Sequence, residues 1–483
     1  MKFTNDLKAM LFNSLHFLIF FIIITTTYFL SPHGHRWKIL LLSSCYFYMT
    51  FVPLYILILG FTIVIDYFAG ILIERSTGKR RKNYLILSIA ANVGVLAVFK
   101  YYNFIADNLS FLLGSAGFQE SVPYLSILLP IGLSFHTFQA MSYTIEVYRG
   151  NQKAERHFGI YSLYVMFYPQ LVAGPIERPQ NVLHQFREKH SFNYDNVVAG
   201  LRLMLWGFFK KVFIADRLAV YVDSVYNNSD KHSAVSLIVA SVFFAIQIYC
   251  DFSGYSDIAL GTARVMGYKL MLNFRRPYLA RSIKDFWSRW HISLSTWFKD
   301  YLYIPLGGNR VAFNRMYLNI FIVFMISGLW HGANWTFIVW GALHGVYQIA
   351  GINFDRLMQR FPNLKFTGFL PSAFQTLLTF AFVAFAWVFF RASSVNEAFT
   401  IVHSIFTWKA GDLFIGSTSN MLYALLGISA LFVTEIAEEF YPGSFTLLNN
   451  RYKLVRHLTY AGLIILILLF GVLSSSQFIY FQF

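Results

Sequence analysis

Long apolar runs, separated by short polar or basic segments, dominate the pattern of this chain. The runs fall near residues 10–30, 38–51, 53–74, 84–99, 123–148, 160–173, 196–221, 234–260, 316–330, 335–352, 370–390, 420–440 and 456–474. They lack the strict alternation of a half-buried strand and are longer than strands usually are, so they predict helices. Because a bilayer core of about 30 Å needs roughly 20 helical residues per crossing, we expect an all-α polytopic membrane protein with about ten to twelve transmembrane helices.

Composition supports this class, since 57% of the 483 residues are hydrophobic and 13% are charged. Soluble domains carry about a quarter charged residues. Residues 38–51 and 160–173 are too short for a full crossing, and they predict tilted, interfacial or re-entrant helices whose ends are covered by protein. No internal repeat, low-complexity tract or soluble domain is visible in the sequence. We therefore predict a single membrane domain over residues 1–483.

The net charge of +16 is better explained by basic residues in cytoplasmic loops of a membrane protein than by nucleic-acid binding. The sequence has no basic stripe with a known reader motif, so we expect no nucleic-acid partner. Residues 264–315 contain ten Lys or Arg against two Asp. Such residues collect in cytoplasmic loops, so we expect segments 75–82 and 264–315 to face the cytoplasm. The first apolar run is not followed by a small-residue cleavage site, and we expect a retained span with an external N-terminus.

Two carboxylates stand in the apolar stretch "QIYCDFSGYSDIALGTARVMGY" (247–268), at Asp251 and Asp257. A carboxylate at membrane depth is costly and usually pairs with a cation. The arginines just downstream are the available partners. The resulting ion pair either lines a substrate cavity or holds a loop to the helix bundle, and we favour the structural alternative.

A charged and aromatic segment follows, "RSIKDFWSRWHISLSTWFKDYLYIPLGG" (281–308). A continuous helix would align Arg281, Asp285 and Arg289 in one ion-pair stripe. Its tryptophans would then form an apolar surface, which is typical of an amphipathic helix in the membrane interface that contacts lipid. On the segment alone, His291 is better interpreted as a structural histidine of such an anchor.

His331 stands in the apolar stretch "MISGLWHGANWTFIVWGALHG" (325–345), with no acidic or basic side chain within a turn. An ionisable residue in such surroundings is a functional candidate. Burial away from charges keeps an imidazole neutral, as a general base requires. Gly328 and Gly332 allow a backbone or a ligand to approach closely. No further ligand stands at metal-binding spacing, so we predict no metal site, and His344 is a weaker candidate.

Six stretches together resemble one known family. They are "PIGLSFHTFQAMSYTIEVYRG" (130–150), "YPQLVAGPIERP" (168–179), "YCDFSGYSDIALGTARVMGY" (249–268), "NFRRPYLARSIKDFWSRWHISLSTWFKDYLYIPLGGNR" (273–310), "SGLWHGANWTFIVWGALHG" (327–345) and "FIYFQF" (478–483). The chain resembles the membrane-bound O-acyltransferases, and within them the branch that acetylates bacterial polysaccharides such as alginate. Two positions depart from the family pattern: His136 replaces an aromatic residue, and Glu146 replaces a common Asp.

The resemblance implies a fold and a set of roles. It implies a ring of helices around a cytoplasmic funnel, with N-terminal helices in 1–150, a catalytic core in 151–352 and C-terminal helices in 353–483. His331 matches the family's catalytic histidine, and His291 matches its second polar position. The donor implied is acetyl-CoA or an acyl carrier thioester, bound from the cytoplasm. The residues expected to bind the phosphates and pantetheine arm of this donor are Arg289, Lys299, Trp290, Tyr303 and Arg310.

The resemblance also implies partners and a location. In the polysaccharide branch the acetyl group passes to a separate extracytoplasmic acyltransferase, similar to SGNH hydrolases, which modifies the sugar. We therefore predict a multi-pass protein of the bacterial inner membrane, surrounded by lipid. Two alternatives stay open: a non-catalytic assembly subunit, which would not need His331, and an acyl or polymer transporter of a polysaccharide export complex, which would show paired broken helices in two halves.

Overall fold

The structure is a computed structural model. It describes residues 10–117, 122–126, 130–172, 174–361, 368–441, 448–472 and 478–479. Within these ranges the regular elements are helices, with no strand, which confirms the predicted all-α class. The start of the first apolar run (1–9) and the end of the terminal motif (480–483) lie outside the described residues.

The chain packs as two compact units. The first consists of Met1–Met204 and Ser256–Met271, and the second of Leu205–Tyr255 and Leu272–Phe483. These boundaries differ from the expected divisions at residues 150 and 352, and the single membrane domain stays a prediction.

Helices α1 to α10 follow one another from the N-terminus. They are α1 (Leu15–Leu30), α2 (His33–Met49), α3 (Ile56–Arg75), α4 (Gly78–Leu96), α5 (Tyr102–Ser115), α6 (Leu133–Arg149), α7 (Phe158–Met166), α8 (Tyr168–Leu171), α9 (Pro179–Val182) and α10 (Tyr194–Phe208). A buried polar cluster joins three of them. Asp66 on α3 accepts hydrogen bonds from Ser88 Oγ at 2.6 Å and Asn92 Nδ2 at 2.8 Å on α4, and Ser88 Oγ lies 2.9 Å from Thr144 Oγ1 on α6. These partners satisfy a carboxylate that is fully buried, which burial without hydrogen bonds would strongly disfavour.

The remaining helices belong largely to the second unit. They are α11 (Asp216–Tyr226), α12 (Ala234–Val265), α13 (Ile283–Arg289), α14 (Ile292–Phe298), α15 (Phe313–His331), α16 (Trp335–Gln359), α17 (Phe369–Arg391), α18 (Val395–Phe406), α19 (Thr418–Phe440) and α20 (Lys453–Phe470). Two π-helical segments, Phe209–Ala215 and Lys299–Tyr303, precede α11 and follow α14.

Seven helical stretches in the described part of the chain are long and apolar enough to cross a membrane. They are Pro53–Arg75, Gly78–Ser115, Ala234–Val265, Phe313–His331, Phe369–Arg391, Thr418–Phe440 and Lys453–Phe470. The polytopic class is thereby confirmed, whereas the predicted ten to twelve crossings counted several apolar runs that form shorter helices. The first run, for example, forms α1 of 16 residues, below the roughly 20 residues of a full crossing. The run at 160–173, which was expected to be too short to cross, is divided between the short helices α7 and α8.

Helices α15 and α16 form a hairpin whose backbones touch at Gly328 and Gly341. A Cβ atom at Gly328 would lie 2.3 Å from the carbonyl oxygen of Phe337, and one at Gly341 would lie 2.3 Å from that of Phe324. Both separations are far below van der Waals contact, so any side chain would force the helices apart. Gly328 was expected to allow either a backbone or a ligand to approach closely. In the structure the backbone of α16 takes this space.

This contact predicts the effect of one added methyl group. We expect Gly328→Ala to lower the free energy of unfolding by about 1–3 kcal/mol, because an overpacked contact must be relieved by moving backbone. Gly351→Ala, also in this hairpin, is the matched control, since nothing lies within 4 Å of its added Cβ. Thermal unfolding of the purified proteins in detergent measures both. Equal midpoints for the two variants would contradict the backbone contact.

Candidate active site

His331 is the last residue of α15, and it is enclosed by aromatic rings. Its side chain is 2% exposed. The ring centroids of Trp330, Trp340 and Phe390 lie 4.9, 5.0 and 5.5 Å from that of the imidazole, each with the ring planes at a steep angle. Tryptophan and phenylalanine surfaces exclude water, so the imidazole sits in a dry, weakly polar environment.

His291 links α13 to α14 in a backbone conformation that residues other than glycine seldom adopt. Its φ of 42° and ψ of 54° are left-handed, which costs about 1–3 kcal/mol for such a residue. Asn273 holds this turn: its carbonyl oxygen accepts from the Ile292 N–H at 2.9 Å, and its Oδ1 accepts from Ser293 Oγ at 2.6 Å. Backbone strain of this kind persists where the surroundings enforce it, and it is concentrated at functional sites.

Trp330 packs beside both histidines. This ring lies 4.9 Å from His331 and 6.2 Å from His291, while Phe252 packs against His291 at 4.7 Å. Two histidines that are forty positions apart in the sequence thus contact the same buried aromatic group.

The predicted amphipathic helix of residues 281–308 is wrong. The left-handed His291 separates α13 from α14, so no continuous helix runs through the segment. Of the predicted ion-pair stripe, the Asp285–Arg289 pair forms within α13 at 2.8 Å. Arg281 precedes α13, and its backbone N–H donates to Asp285 at 3.2 Å. Trp290 is fully buried and Trp297 is 7% exposed. The rings expected to contact lipid are instead packed inside the protein.

Arg289 and Trp290, two of the residues expected to bind the donor, are held by protein contacts. The Arg289 guanidinium forms ion pairs of 2.8 Å with Asp285 and with Glu439 on α19. Trp290 stacks on Phe286 at 5.5 Å between ring centroids, and it contacts further rings of the core. These contacts favour a structural role for both side chains. Their role in donor binding stays a prediction.

The other three expected donor residues have accessible side chains. Lys299 and Arg310 are exposed and Tyr303 is half-buried. Lys299 and Tyr303 begin and end the π-helical turn after α14, and Arg310 follows in the loop before α15. Two cations and a phenol ring with accessible surface are suitable chemistry for a phosphorylated, partly apolar ligand.

Asp251 pairs with a lysine and not with the downstream arginines that the sequence suggested. Lys211, from the π-helical segment before α11, lies 2.6 Å from Asp251 and 2.7 Å from Asp216. The backbone N–H of Ile479 donates to the other Asp251 oxygen at 2.7 Å. Asp251, Asp216 and Lys211 are at most 3% exposed, so this cluster ties the described part of the terminal motif to α12 and has a structural character.

Sequence comparison identifies the family. The sequence profile of the membrane-bound O-acyltransferases matches residues 156–394, which include both histidines. The chain is 37% identical to the probable alginate O-acetylase AlgI of Pseudomonas aeruginosa over 84% of this chain and 77% of that protein. This chain belongs to the membrane-bound O-acyltransferase family.

Two further relatives show the range of the family. The peptidoglycan O-acetyltransferase of Helicobacter pylori is 38% identical over 75% of this chain and 72% of the relative. The teichoic acid D-alanyltransferase of Bacillus subtilis is 26% identical over 55% of this chain and 70% of the relative. The protein is thus a multi-pass membrane O-acyltransferase, which makes the transporter and the non-catalytic subunit the weaker alternatives.

Two tryptophans that the sequence analysis did not single out add hydrogen-bond donors to the aromatic cluster of the candidate site. Trp340 and Trp387 stack on each other at 5.6 Å, and Trp340 also faces His331. Both indole N–H groups are buried, and neither has an acceptor among the described residues. Buried donors without an acceptor are rare in native proteins. Trp340 lies nine positions after His331 in the sequence, and this spacing does not predict that the two rings are close.

His291 and His344, the two further candidate histidines, are both neutral at pH 7 and differ in their surroundings. Burial lowers the pKa of His291 from 6.5 to about 3, so its ring is neutral at pH 7. His344, the weaker candidate, accepts a hydrogen bond at Nδ1 from the Trp287 indole N–H at 3.2 Å. This bond places the proton of a neutral His344 on Nε2 and gives His344 a structural task.

The neutral His291 predicts a pH dependence of stability. The folded ring protonates near pH 3 and the unfolded one near 6.5, so between these values the unfolded chain binds more protons. The free energy of unfolding therefore falls as the pH drops through this window, by up to about 1.4 kcal/mol per pH unit. We expect His291→Gln to make the acid loss shallower in thermal unfolding between pH 7.5 and 5. His403→Gln, at an exposed histidine of α18, should keep the parental slope, and parallel slopes for all three proteins would contradict the neutral, buried ring.

Proposed function

We propose that this O-acyltransferase takes an acetyl group from a cytoplasmic thioester and passes it across the bacterial inner membrane for O-acetylation of an extracytoplasmic polysaccharide. The names of the relatives support the acetyl group and the polymer class, since the alginate and peptidoglycan enzymes are both O-acetylating and both more than 35% identical to this chain. An extracytoplasmic acyltransferase similar to SGNH hydrolases completes the transfer to the sugar.

The observation that carries the proposal is the burial of His331 at the end of a candidate membrane-spanning helix, within aromatic rings. A thioester is a reactive group, and exclusion of water protects it from hydrolysis while the acceptor is positioned. In these surroundings the imidazole of His331 is the group that can accept the proton of the acceptor hydroxyl.

In the proposed reaction His331 accepts the proton of the acceptor hydroxyl as the hydroxyl oxygen attacks the thioester carbonyl carbon. The C–O bond forms, and negative charge develops on the carbonyl oxygen, where the Trp340 indole N–H donates a hydrogen bond. The C–S bond then breaks, and the leaving thiolate takes the proton from the His331 imidazolium. His291 remains neutral and positions the reacting groups. The products are an acetyl ester and a free thiol.

The donor enters this scheme through the accessible side chains. Lys299 and Arg310 pair with the phosphates of acetyl-CoA or of a carrier-bound phosphopantetheine, and Tyr303 packs along the pantetheine arm. Arg289 and Trp290 act on the donor indirectly, by holding the segment in place through the contacts to Asp285, Glu439 and the aromatic core.

Replacing His331 tests the base. His331→Gln keeps a hydrogen-bonding side chain of similar reach but removes the proton acceptor, and we expect acetyl transfer to fall by about 10²–10⁴-fold. The purified protein is given radiolabelled acetyl-CoA and an acceptor, and release of thiol and transfer of label are both measured. His403→Gln serves as the control for handling and folding. Turnover of His331→Gln close to that of the parent would overturn the proposed mechanism.

Replacing Trp340 tests the donor to the carbonyl oxygen. Trp340→Phe keeps an aromatic ring but removes the N–H, so we expect kcat to fall by about 10²–10³-fold with KM little changed. Trp335→Phe is the matched control on the same helix, because that side chain is 53% exposed. If Trp340→Phe altered thermal stability alone and left kcat intact, Trp340 would be a packing residue only.

A further inference from the structure

The second unit contains a small pocket lined by none of the active-site residues. Its volume is about 100 Å³, and it opens between α11, α12 and the beginning of α19. Aromatic and polar groups share its wall, among them Arg217, Tyr221, Phe243, Phe414, Ser417 and Asn420. The volume accommodates a phosphate-sized group and excludes a whole lipid or nucleotide.

Arg217 brings a buried positive charge to this pocket. Its side chain is 6% exposed; Nη1 donates to Asn420 Oδ1 at 2.6 Å, and Nη2 donates to the carbonyl oxygen of Phe470. The Nε–H is buried and has no acceptor among the described residues. Across those residues, no carboxylate lies within ion-pair distance of its guanidinium.

The absence of a carboxylate sets Arg217 apart from two other cations of this unit: Lys211 has two buried carboxylate partners, and Arg289 has two partly exposed ones. The rings of Phe213 and Tyr423 lie 5.5 and 5.0 Å from the Arg217 guanidinium carbon. They stabilise the cation partly, but they carry no opposite charge. A buried cation without a counter-charge is costly, and an anionic ligand would remove that cost.

The start of α19 adds to the positive potential. Ser417 is the N-cap residue, and its side chain accepts from the backbone N–H of Asn420. The N-terminus of a helix of 23 residues attracts anions through its free N–H groups and its dipole. Arg217 and this helix end therefore favour the same sign of charge within one pocket.

The position along the helices indicates where the anion comes from. Helix α19 begins at Thr418 and α20 ends at Phe470, and both are candidate membrane spans. The ends of spans lie at the depth of lipid headgroups. Beside the pocket, Val220 and Ile415 are 46% and 48% exposed, so an apolar surface continues outward from the charged pocket.

We propose that this pocket binds the phosphate group of a membrane phospholipid. Arg217, Asn420 and the N-terminus of α19 surround the phosphate, and the glycerol and acyl chains extend over Val220 and Ile415. Free phosphate has the same charge chemistry, but it would leave the exposed apolar surface uncovered.

The test adds a negative charge to the pocket without removing Arg217. Ser417→Asp preserves the helix cap, because Asp caps helices as well as Ser does, and its carboxylate competes with a bound phosphate. Ser394→Asp is the matched control: it makes the same change at the exposed N-cap serine of α18. Delipidated full-length protein in detergent is titrated with dioctanoyl phosphatidylglycerol, with dioctanoylglycerol and with inorganic phosphate, and native mass spectrometry counts bound molecules.

The parent and Ser394→Asp are expected to bind the phospholipid, and Ser417→Asp is expected to bind it about 10- to 100-fold more weakly, as the loss of a charge-assisted contact predicts. Arg217→Gln should weaken it similarly. Equal affinity of all variants would overturn the proposal, and so would equal affinity for dioctanoylglycerol, which lacks the phosphate. Binding of inorganic phosphate as tight as that of the phospholipid would replace the lipid with a soluble anion and reject the proposal in its stated form.

Discussion

The contact between the backbones of α15 and α16 is the constraint on which the candidate active site depends. Gly328 and Gly341 leave no room for a Cβ atom, so the backbones of the two helices are in direct contact there. His331 lies three residues after Gly328, and Trp340 lies immediately before Gly341. The close contact therefore determines the 5.0 Å separation of the imidazole and indole rings. Small residues at such a crossing are a general means of bringing helices together where the surroundings are lipid.

Electrostatic compensation is the second constraint on the second unit. Lys211 is compensated by Asp251 and Asp216, and Arg289 by Asp285 and Glu439. These pairs contribute more to a unique arrangement than to net stability, because desolvation offsets much of their attraction. They join segments distant in sequence, including α19 to the short helix before His291. Arg217 departs from this pattern, and an external anion at the membrane surface is consistent with the departure.

The aromatic surroundings of the two histidines suit the proposed acyl transfer. A low-polarity site favours a neutral imidazole and strengthens hydrogen bonds to a developing oxyanion. The strained backbone at His291 shows that its position is imposed by neighbours such as Asn273. The accessible Lys299 and Arg310, in contrast, lie where a charged donor can reach them without displacing the core.

The sequence by itself determined the all-α membrane class, because apolar runs of roughly 20 residues admit few other structures in lipid. It also indicated His331 through its apolar surroundings, whereas His291 was indicated only by motifs that resemble the family to which the chain belongs. The sequence did not predict the contacts between distant segments. The sequence suggested arginines for Asp251 and a lipid-facing helix for residues 281–308, whereas Lys211 and a buried, broken helix are observed. Periodicity describes one segment at a time, but the partner of a charge, the burial of a ring and the proximity of Trp340 to His331 are decided by which segments pack together.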